Sequence, residues 1–167
     1  MLGHFALVFG GAAKNGVMSN EAFVLDTIKW EWKKVDTTTD DDKNNKPCPR
    51  AAPSLVGFNE TCAVLFGGAK TVENGLEPLN DVWALTVDRF SGKGRWELLL
   101  DAETSIEKGY TLPPGRNAAT LTEVPLSTED IAVTENGQKK MKQFLLQGGW
   151  APFRQTWDDS YILRLSQ

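Results

Sequence analysis

One short pattern occurs three times along the 167 residues and constrains the fold more than any other feature. Each copy has an apolar run ending in a glycine pair, then a variable loop, two polar residues, a spacer, an aromatic residue and, two positions later, a leucine. Side chains two positions apart point to the same face of a β-strand. The pattern therefore predicts repeated β-strands that share one packing face. The glycine pairs are Gly10 and Gly11, Gly67 and Gly68, and Gly148 and Gly149, and the aromatic residues are Phe23, Trp83 and Tyr161.

Further strands are indicated on both sides of this pattern. Trp32 and Trp96 each open a short strand after the leucine, and the third copy ends before such a tryptophan. Arg50 and Arg116 each stand three positions after a proline and ahead of a small-residue strand, at 51–56 and 117–124. Short strands separated by glycine, proline and asparagine are typical of antiparallel meander sheets, here with four strands per unit. We expect one short helix at 102–108.

Together, the glycine pair, the aromatic residue, the leucine, the downstream tryptophan and the proline-spaced arginine resemble the Kelch repeat over nearly the whole chain. The resemblance implies an all-β fold, a β-propeller whose blades are antiparallel four-stranded sheets around a central channel. We expect a single segment, 1–167, with a partial blade at 4–36, a blade at 50–100 and a partial blade at 116–167. The three units supply three, four and three strands, so the chain has ten strands in about two and a half blades. The ring is therefore not closed.

The repeated positions are interpreted as architecture. Glycine suits strand ends with unusual backbone angles or a close backbone approach, and the aromatic residues supply the faces through which sheets pack. The two arginines are expected to hydrogen-bond carbonyl groups between blades rather than a ligand, because an unpaired buried charge is costly. The structural repeat positions are Gly10, Gly11, Trp32, Arg50, Gly67, Gly68, Trp83, Trp96, Arg116, Gly148, Gly149 and Tyr161.

Composition argues against several functions. The net charge is -4, and the expected loops carry six basic against seven acidic residues, so no nucleic-acid groove is indicated. The longest apolar run, 5–13, is too short for a membrane span. No Lys or Arg precedes it and its pattern recurs inside the chain, so we do not expect a signal peptide. We expect a soluble, cytoplasmic protein in which Cys48 and Cys62 are free thiols. With His4 as its single histidine, the chain is predicted to have no catalytic residue, metal site or cofactor.

The resemblance also implies that loops at one end of the blades receive a protein partner. These are the loops between the second and third strands and the connections between blades. The segment 150–154 is the most adhesive, because aromatic residues and arginine are enriched at interface hot spots, although packing on a neighbouring blade would use them as well. The threonine and aspartate run at 37–42 is interpreted as a solvated loop in preference to a phosphorylation site. Candidate partner-binding residues are Lys14, Lys70, Tyr110, Trp150, Phe153 and Arg154.

Three functional hypotheses remain open at this point. The favoured one is a non-catalytic protein–protein interaction scaffold whose partner is another protein, not nucleic acid or membrane. The second is a piece of a propeller enzyme or carbohydrate-binding protein whose active residues lie in missing blades. The third is an oligomerisation device, because an open arc exposes unpaired strand edges and an apolar blade face to copies of itself or to the remaining blades of a longer chain.

Overall fold

The computed structural model describes residues 2–37, 45–126 and 141–166. Residues 38–42 of the predicted threonine and aspartate loop lie outside the described residues. Within the described ranges the chain forms twelve strands and one helix. In chain order these are β1 (Phe5–Phe9), β2 (Ala22–Asp26), β3 (Glu31–Lys34), β4 (Ser54–Gly57), β5 (Cys62–Val72), β6 (Gly75–Val87), β7 (Gly94–Leu100), α1 (Ala102–Lys108), β8 (Thr120–Val124), β9 (Met141–Gln147), β10 (Trp150–Ala151), β11 (Gln155–Thr156) and β12 (Ser160–Ser166).

The described strands form three antiparallel sheets and a small hairpin. The first sheet has the order β1-β2-β3, the second β4-β5-β6-β7 and the third β8-β9-β12, while β10 pairs with β11. Each sheet packs a face against the next sheet along the chain. Over the described ranges the sheets do not close into a ring. The predicted fold class, an all-β partial β-propeller with an open ring, is therefore confirmed.

Two features of the strands differ from the sequence prediction. One of the predicted loops between second and third strands, that of the second unit at 69–79, is instead a β-hairpin. There β5 continues through a bulge at Gly67 and pairs with β6 as far as Val72 and Gly75. The strands expected from residues 51 and 117 begin three residues later, at Ser54 and Thr120. The reason is a backbone turn in which Ala52 and Ala118 have positive φ angles of 48° and 52°, and an extended strand cannot include this conformation.

The predicted helix at 102–108 is present as α1. Asp101 caps its first turn by accepting a hydrogen bond from the Thr104 N–H at 2.8 Å. Gly109 ends it in the left-handed conformation, with φ of 68°. Among the described residues, no helix is long and apolar enough to cross a membrane.

The core consists of two layers between neighbouring sheets. Between the first and second sheets, Phe9 meets the edge of Trp96 with ring centres 4.9 Å apart, and Val24 and Leu85 are buried beside them. Between the second and third sheets, Val64 and Phe66 pack against Phe144, Leu146 and their neighbours. Because strand residues alternate between faces, the second sheet turns one set of residues toward the first sheet and the other set toward the third.

Trp32 differs from its counterpart Trp96 in burial. Both side chains stand opposite the leucine of the repeat, Leu25 and Leu85 respectively. Trp96 is 3% exposed, because its face of the second sheet packs on the first sheet. Trp32 is 58% exposed, because the same face of the first sheet points away from the second sheet. We expected Trp32 to pack against a neighbouring sheet, but among the described residues no sheet lies on its face.

Candidate functional site

Two buried arginines fix the bases of the loops at one end of the sheets. The main chain of Arg50 belongs with the first sheet, where its carbonyl accepts from the Gly11 N–H at 2.9 Å and its N–H donates to the Ser19 carbonyl at 3.0 Å. Its fully buried side chain reaches into the second sheet. There Nη1 donates to the Gly67 carbonyl at 2.9 Å, and the guanidinium makes two bonds of 2.6 and 2.8 Å to Asp81. Arg50 therefore ties the two sheets together.

Arg116 repeats this arrangement between the second and third sheets. Its carbonyl accepts from the Gly68 N–H at 2.9 Å, and its fully buried side chain donates to the Gly148 carbonyl at 2.9 Å. The guanidinium bonds both carboxylate oxygens of Asp159. These hydrogen bonds from Arg116 lower the pKa of Asp159 below its ordinary value of 3.8. The carboxylate therefore stays charged and holds the base of the loop at 148–159.

Two aromatic rings complete the setting of Arg116. Its guanidinium carbon lies 5.0 Å from the ring centre of Trp157 and 5.3 Å from that of Tyr161. Cation–π contacts of this kind add attraction to the charge pairing. Hydrogen bonds and cation–π contacts therefore both fix the guanidinium of Arg116. They also fix the base of the loop at 148–159, which carries Trp157.

Gly67 shows why a glycine pair is needed beside each arginine. Its φ is +62°, and a Cβ there would lie 2.6 Å from the carbonyl oxygen of Arg116 and 2.9 Å from that of Leu79. Gly10 has the same relation to Arg50, with a Cβ 2.6 Å from its carbonyl oxygen. Any larger residue would push the backbone of the arginine segment away.

The loop at 148–159 folds into the hairpin of β10 and β11 above this base. Trp150 exchanges two backbone hydrogen bonds of 3.0 Å with Asn117, which directly follows Arg116. A turn closed by the Arg154 N–H and the Ala151 carbonyl, 3.1 Å apart, joins the two short strands. The residues expected to be adhesive are thus presented on ordered secondary structure, with Trp150 39% exposed.

Phe153 lies at the tip of this hairpin and is the most exposed large apolar side chain among the described residues, at 89%. Its φ is +59°, a conformation that costs a non-glycine residue about 1–2 kcal/mol. Its ring lies beside the tip of the β5–β6 hairpin, because a Cβ on Gly75 would be 3.9 Å from its Cε2 atom. We call the surface formed by Trp150, Phe153, Arg154 and the β5–β6 tip the tip surface.

The structure brings four of the six candidate partner-binding residues to two neighbouring hairpins. Trp150, Phe153 and Arg154 share one hairpin, and Lys70 lies on the other, where it pairs with Glu77 at 3.1 Å. Lys14 is exposed in a separate loop, closed by a bridge between Ala12 and Met18. Tyr110 follows α1 and lines a cleft between the second and third sheets instead.

Several residues of this region escaped sequence analysis. The repeated position of Asp81 and Asp159 favours an architectural role, but the sequence analysis does not predict their pairing with the two arginines. The signal that could have found it is their shared place in the repeat, because each aspartate stands two residues before the aromatic residue, Trp83 or Tyr161. Trp157 and Gly75 carry no repeat signal, because they belong to loops of different length.

Other chemistry-bearing side chains are scattered over the part of the chain that the structure describes. Cys48 and Cys62 are free thiols, and burial raises the pKa of Cys62. No three His, Cys, Asp or Glu side chains of the described residues lie together as a metal-binding group.

Sequence comparison relates the chain to one group of curated proteins. Host cell factor 1 of Homo sapiens and of Rattus norvegicus is 32% identical over 154 residues, which cover 89% of this chain and 7% of each relative. Host cell factor of Drosophila melanogaster is 36% identical over 95 residues, 53% of this chain and 6% of the relative. The chain therefore spans only a small part of the curated relatives that it matches.

Two further comparisons used protein-family models and solved structures. No protein-family model matches the chain. The solved structure of YjhT aligns with 95% of this chain and 55% of its own, with a TM-score of 0.39 and 11% sequence identity.

Proposed function

We propose that this chain is a non-catalytic protein-interaction segment of the Kelch type, and that its tip surface binds another protein. The observation that carries the proposal is Phe153, an aromatic side chain 89% exposed at the tip of an ordered hairpin. The three repeats and the similarity to the Host cell factor proteins support the family assignment.

The composition of the tip surface favours a protein partner. Tryptophan and arginine are enriched at interface hot spots, and aromatic residues generally contribute large contact areas. Trp150 is held by two backbone hydrogen bonds, and Phe153 lies in a short turn closed by a third, so little conformational entropy is lost on binding. The pairing of Lys70 with Glu77 leaves the surface with charges of both signs, which suits a protein better than a nucleic-acid backbone.

The positive φ of Phe153 is a second argument. A glycine would adopt φ of +59° without strain, whereas phenylalanine there costs stability. Its ring is almost fully exposed and so offsets little of that cost through packing in the free chain. Trp30 combines the same φ with 74% exposure, so the strain favours binding by Phe153 only together with its place beside the β5–β6 tip.

Head-to-tail association of copies of this chain is a poorer hypothesis, because the two outward faces do not match. The outward face of the first sheet carries exposed Val8 and Trp32. The outward face of the third sheet carries Gln147, Ile162 and Arg164. Lys34 also lies on the first of these faces, opposite Phe23, so stacking the two faces would bring two cationic side chains together and desolvate them.

The test is a pull-down from a cell lysate with the immobilised chain and the variant Phe153→Gly. Glycine keeps the backbone at φ of +59° and removes only the ring. The matched control is Trp30→Gly, because Trp30 has the same φ of 59° and is 74% exposed in the turn between β2 and β3.

We expect proteins captured by the unaltered chain to be lost with Phe153→Gly and retained with Trp30→Gly. Urea unfolding should find Phe153→Gly as stable as the unaltered chain or more stable, because the backbone strain is relieved. Capture by Phe153→Gly at the level of the unaltered chain would contradict the proposal.

A further inference from the structure

Asparagine, a chemically labile residue, is followed directly by glycine at Asn15–Gly16, Asn74–Gly75 and Asn136–Gly137. In such a pair the backbone nitrogen of the glycine can attack the side-chain amide carbon of the asparagine, because glycine has no side chain to obstruct the approach. The third pair lies outside the described residues. Both other asparagines are exposed, and their glycines differ in what holds them in place.

Asn15 and Gly16 lie in a loop of the first sheet in which all residues at 12–17 are exposed. The Gly16 N–H donates to the Ala13 carbonyl at 2.8 Å. Apart from the adjoining residues, no atom of the described chain lies within 4 Å of a Cβ placed on Gly16. A local movement of the loop can therefore release the Gly16 nitrogen without disturbing a packed neighbour.

The side chain of Asn15 is turned toward the same glycine. Its Oδ1 accepts a hydrogen bond from the Val17 N–H at 3.2 Å. A side chain bonded to the N–H two residues ahead folds back over the intervening peptide group, which here contains the Gly16 nitrogen. The hydrogen bond also draws electron density from the amide carbon. Both effects favour attack on that carbon by the Gly16 nitrogen.

Asn74 and Gly75 stand at the tip of the β5–β6 hairpin. Gly75 is the first residue of β6 and pairs with Val72 of β5. A Cβ on Gly75 would lie 3.9 Å from the ring of Phe153 in the β10–β11 hairpin. Movement of Gly75 therefore disturbs both strand pairing and a neighbouring side chain. The β5–β6 hairpin is in turn the next hairpin beyond Gly16, and none of its atoms comes within 4 Å of a Cβ there.

We propose that Asn15 is a site of spontaneous modification, at which the folded chain converts asparagine into isoaspartate and aspartate, while the hairpin protects Asn74. The Gly16 nitrogen forms a bond to Cγ of Asn15, and the bond from Cγ to the side-chain nitrogen breaks. Ammonia leaves with the proton of the Gly16 N–H, and a cyclic imide remains. Water then opens the imide at either carbonyl group, which gives isoaspartate or aspartate.

The modification changes the loop at 12–17 in two ways. A negative charge appears beside Lys14, one of the candidate partner-binding residues, and isoaspartate adds a methylene group to the backbone. The modification does not depend on the proposed function, because Asn15 is not part of the tip surface. Because the loop is exposed, little stability should be lost.

The test is to incubate the folded chain at mildly alkaline pH and to follow each asparagine by mass spectrometry of peptic peptides. Pepsin works at acidic pH, where new imide forms slowly. We expect conversion at Asn15 to exceed that at Asn74 at least about fivefold, the factor that corresponds to one backbone hydrogen bond. The methyltransferase specific for isoaspartate should label the peptide that contains Asn15. Equal conversion of the two residues, or an intact amide at Asn15, would overturn the proposal.

The same chain in urea is the matched control, because unfolding releases both pairs. There Asn15 and Asn74 should convert at similar rates, since each is followed by glycine. A preference for Asn15 of the same size in urea would show that the neighbouring sequence protects Asn74, and would overturn the role given to the hairpin. The variant Asn15→Gln should lose the label at this position and leave conversion of Asn74 unchanged, because glutamine has to close a larger ring. Persistent labelling of that peptide would place the modification elsewhere.

Discussion

Removing the side chain of Arg50 should destabilise the protein far more than removing any exposed charge. The guanidinium is fully buried and makes two hydrogen bonds to Asp81, one to the Gly67 carbonyl and two to Cys48. Arg50→Ala breaks all of them and leaves a cavity between the sheets. Breaking a buried ion pair by removing one partner typically costs about 3–5 kcal/mol.

The expected cost lies near the lower end of that range. Asp81 keeps a hydrogen bond of 2.7 Å from the Trp83 indole nitrogen, and its side chain is 18% exposed. We therefore expect Arg50→Ala to lose about 3 kcal/mol, a large part of the roughly 5–15 kcal/mol that stabilises a typical domain.

A double-mutant cycle isolates the pair from the cavity. Urea unfolding followed by tryptophan fluorescence gives the free energy of unfolding for Arg50→Ala, Asp81→Ala and the double variant. We expect a coupling energy of about 2 kcal/mol, within the range found for residues in one hydrogen-bond network.

The exposed pair Lys34 and Glu21 is the matched control, because it links β3 to the residue just before β2 with side chains 58% and 46% exposed. Its coupling energy should stay below about 1 kcal/mol. If the coupling energy of Arg50 and Asp81 were no larger than that of the control pair, the structural role assigned to the buried arginines would be refuted.

Two further predictions concern pH and the glycine pairs. Because hydrogen bonds lower the folded-state pKa of Asp159 below 3.8, its contribution to stability is present above that pH and is lost as the pH falls through the lowered pKa. The urea midpoint of Asp159→Asn should therefore fall less between about pH 6 and pH 2 than that of the unaltered chain, and parallel curves would contradict the assignment. Gly67→Ala should cost at least about 2 kcal/mol more than Gly16→Ala, because both positions have positive φ but only Gly67 would place a Cβ 2.6 Å from a carbonyl oxygen. Equal losses in thermal or urea unfolding would show that this close approach is unimportant.

The strands themselves could be predicted from the sequence, because their packing faces repeat. The offset between aromatic residue and leucine fixes a period of two, so the pattern alone predicts the positions of β2, β6 and β12. The helix at 102–108 was also predictable, since Asp101 and Gly109 are typical residues for its two ends.

The remaining features depend on contacts that repeats do not encode. Trp96 is buried and Trp32 is exposed because a neighbouring sheet packs on the face of Trp96 only. This difference depends on how the sheets are arranged and not on the sequence of either strand. The extension of β5 and β6 beyond the glycine pair depends on a bulge at Gly67. The positive φ of Phe153 is set by the turn of its hairpin. The sequence therefore predicts an adhesive segment at 150–154 but not the hairpin that exposes its side chains.

Hydrogen exchange of individual backbone amides tests the open arc of sheets most directly. In β5, residues 63–66 are buried and paired on both sides, so all their amides should exchange slowly, near the rate set by global unfolding. In β12, the amides that face β9 should be slow and the alternate ones, at the outer edge, should exchange rapidly. Uniformly slow exchange along β12 in the isolated chain would mean that this edge is covered, and would contradict the open arc.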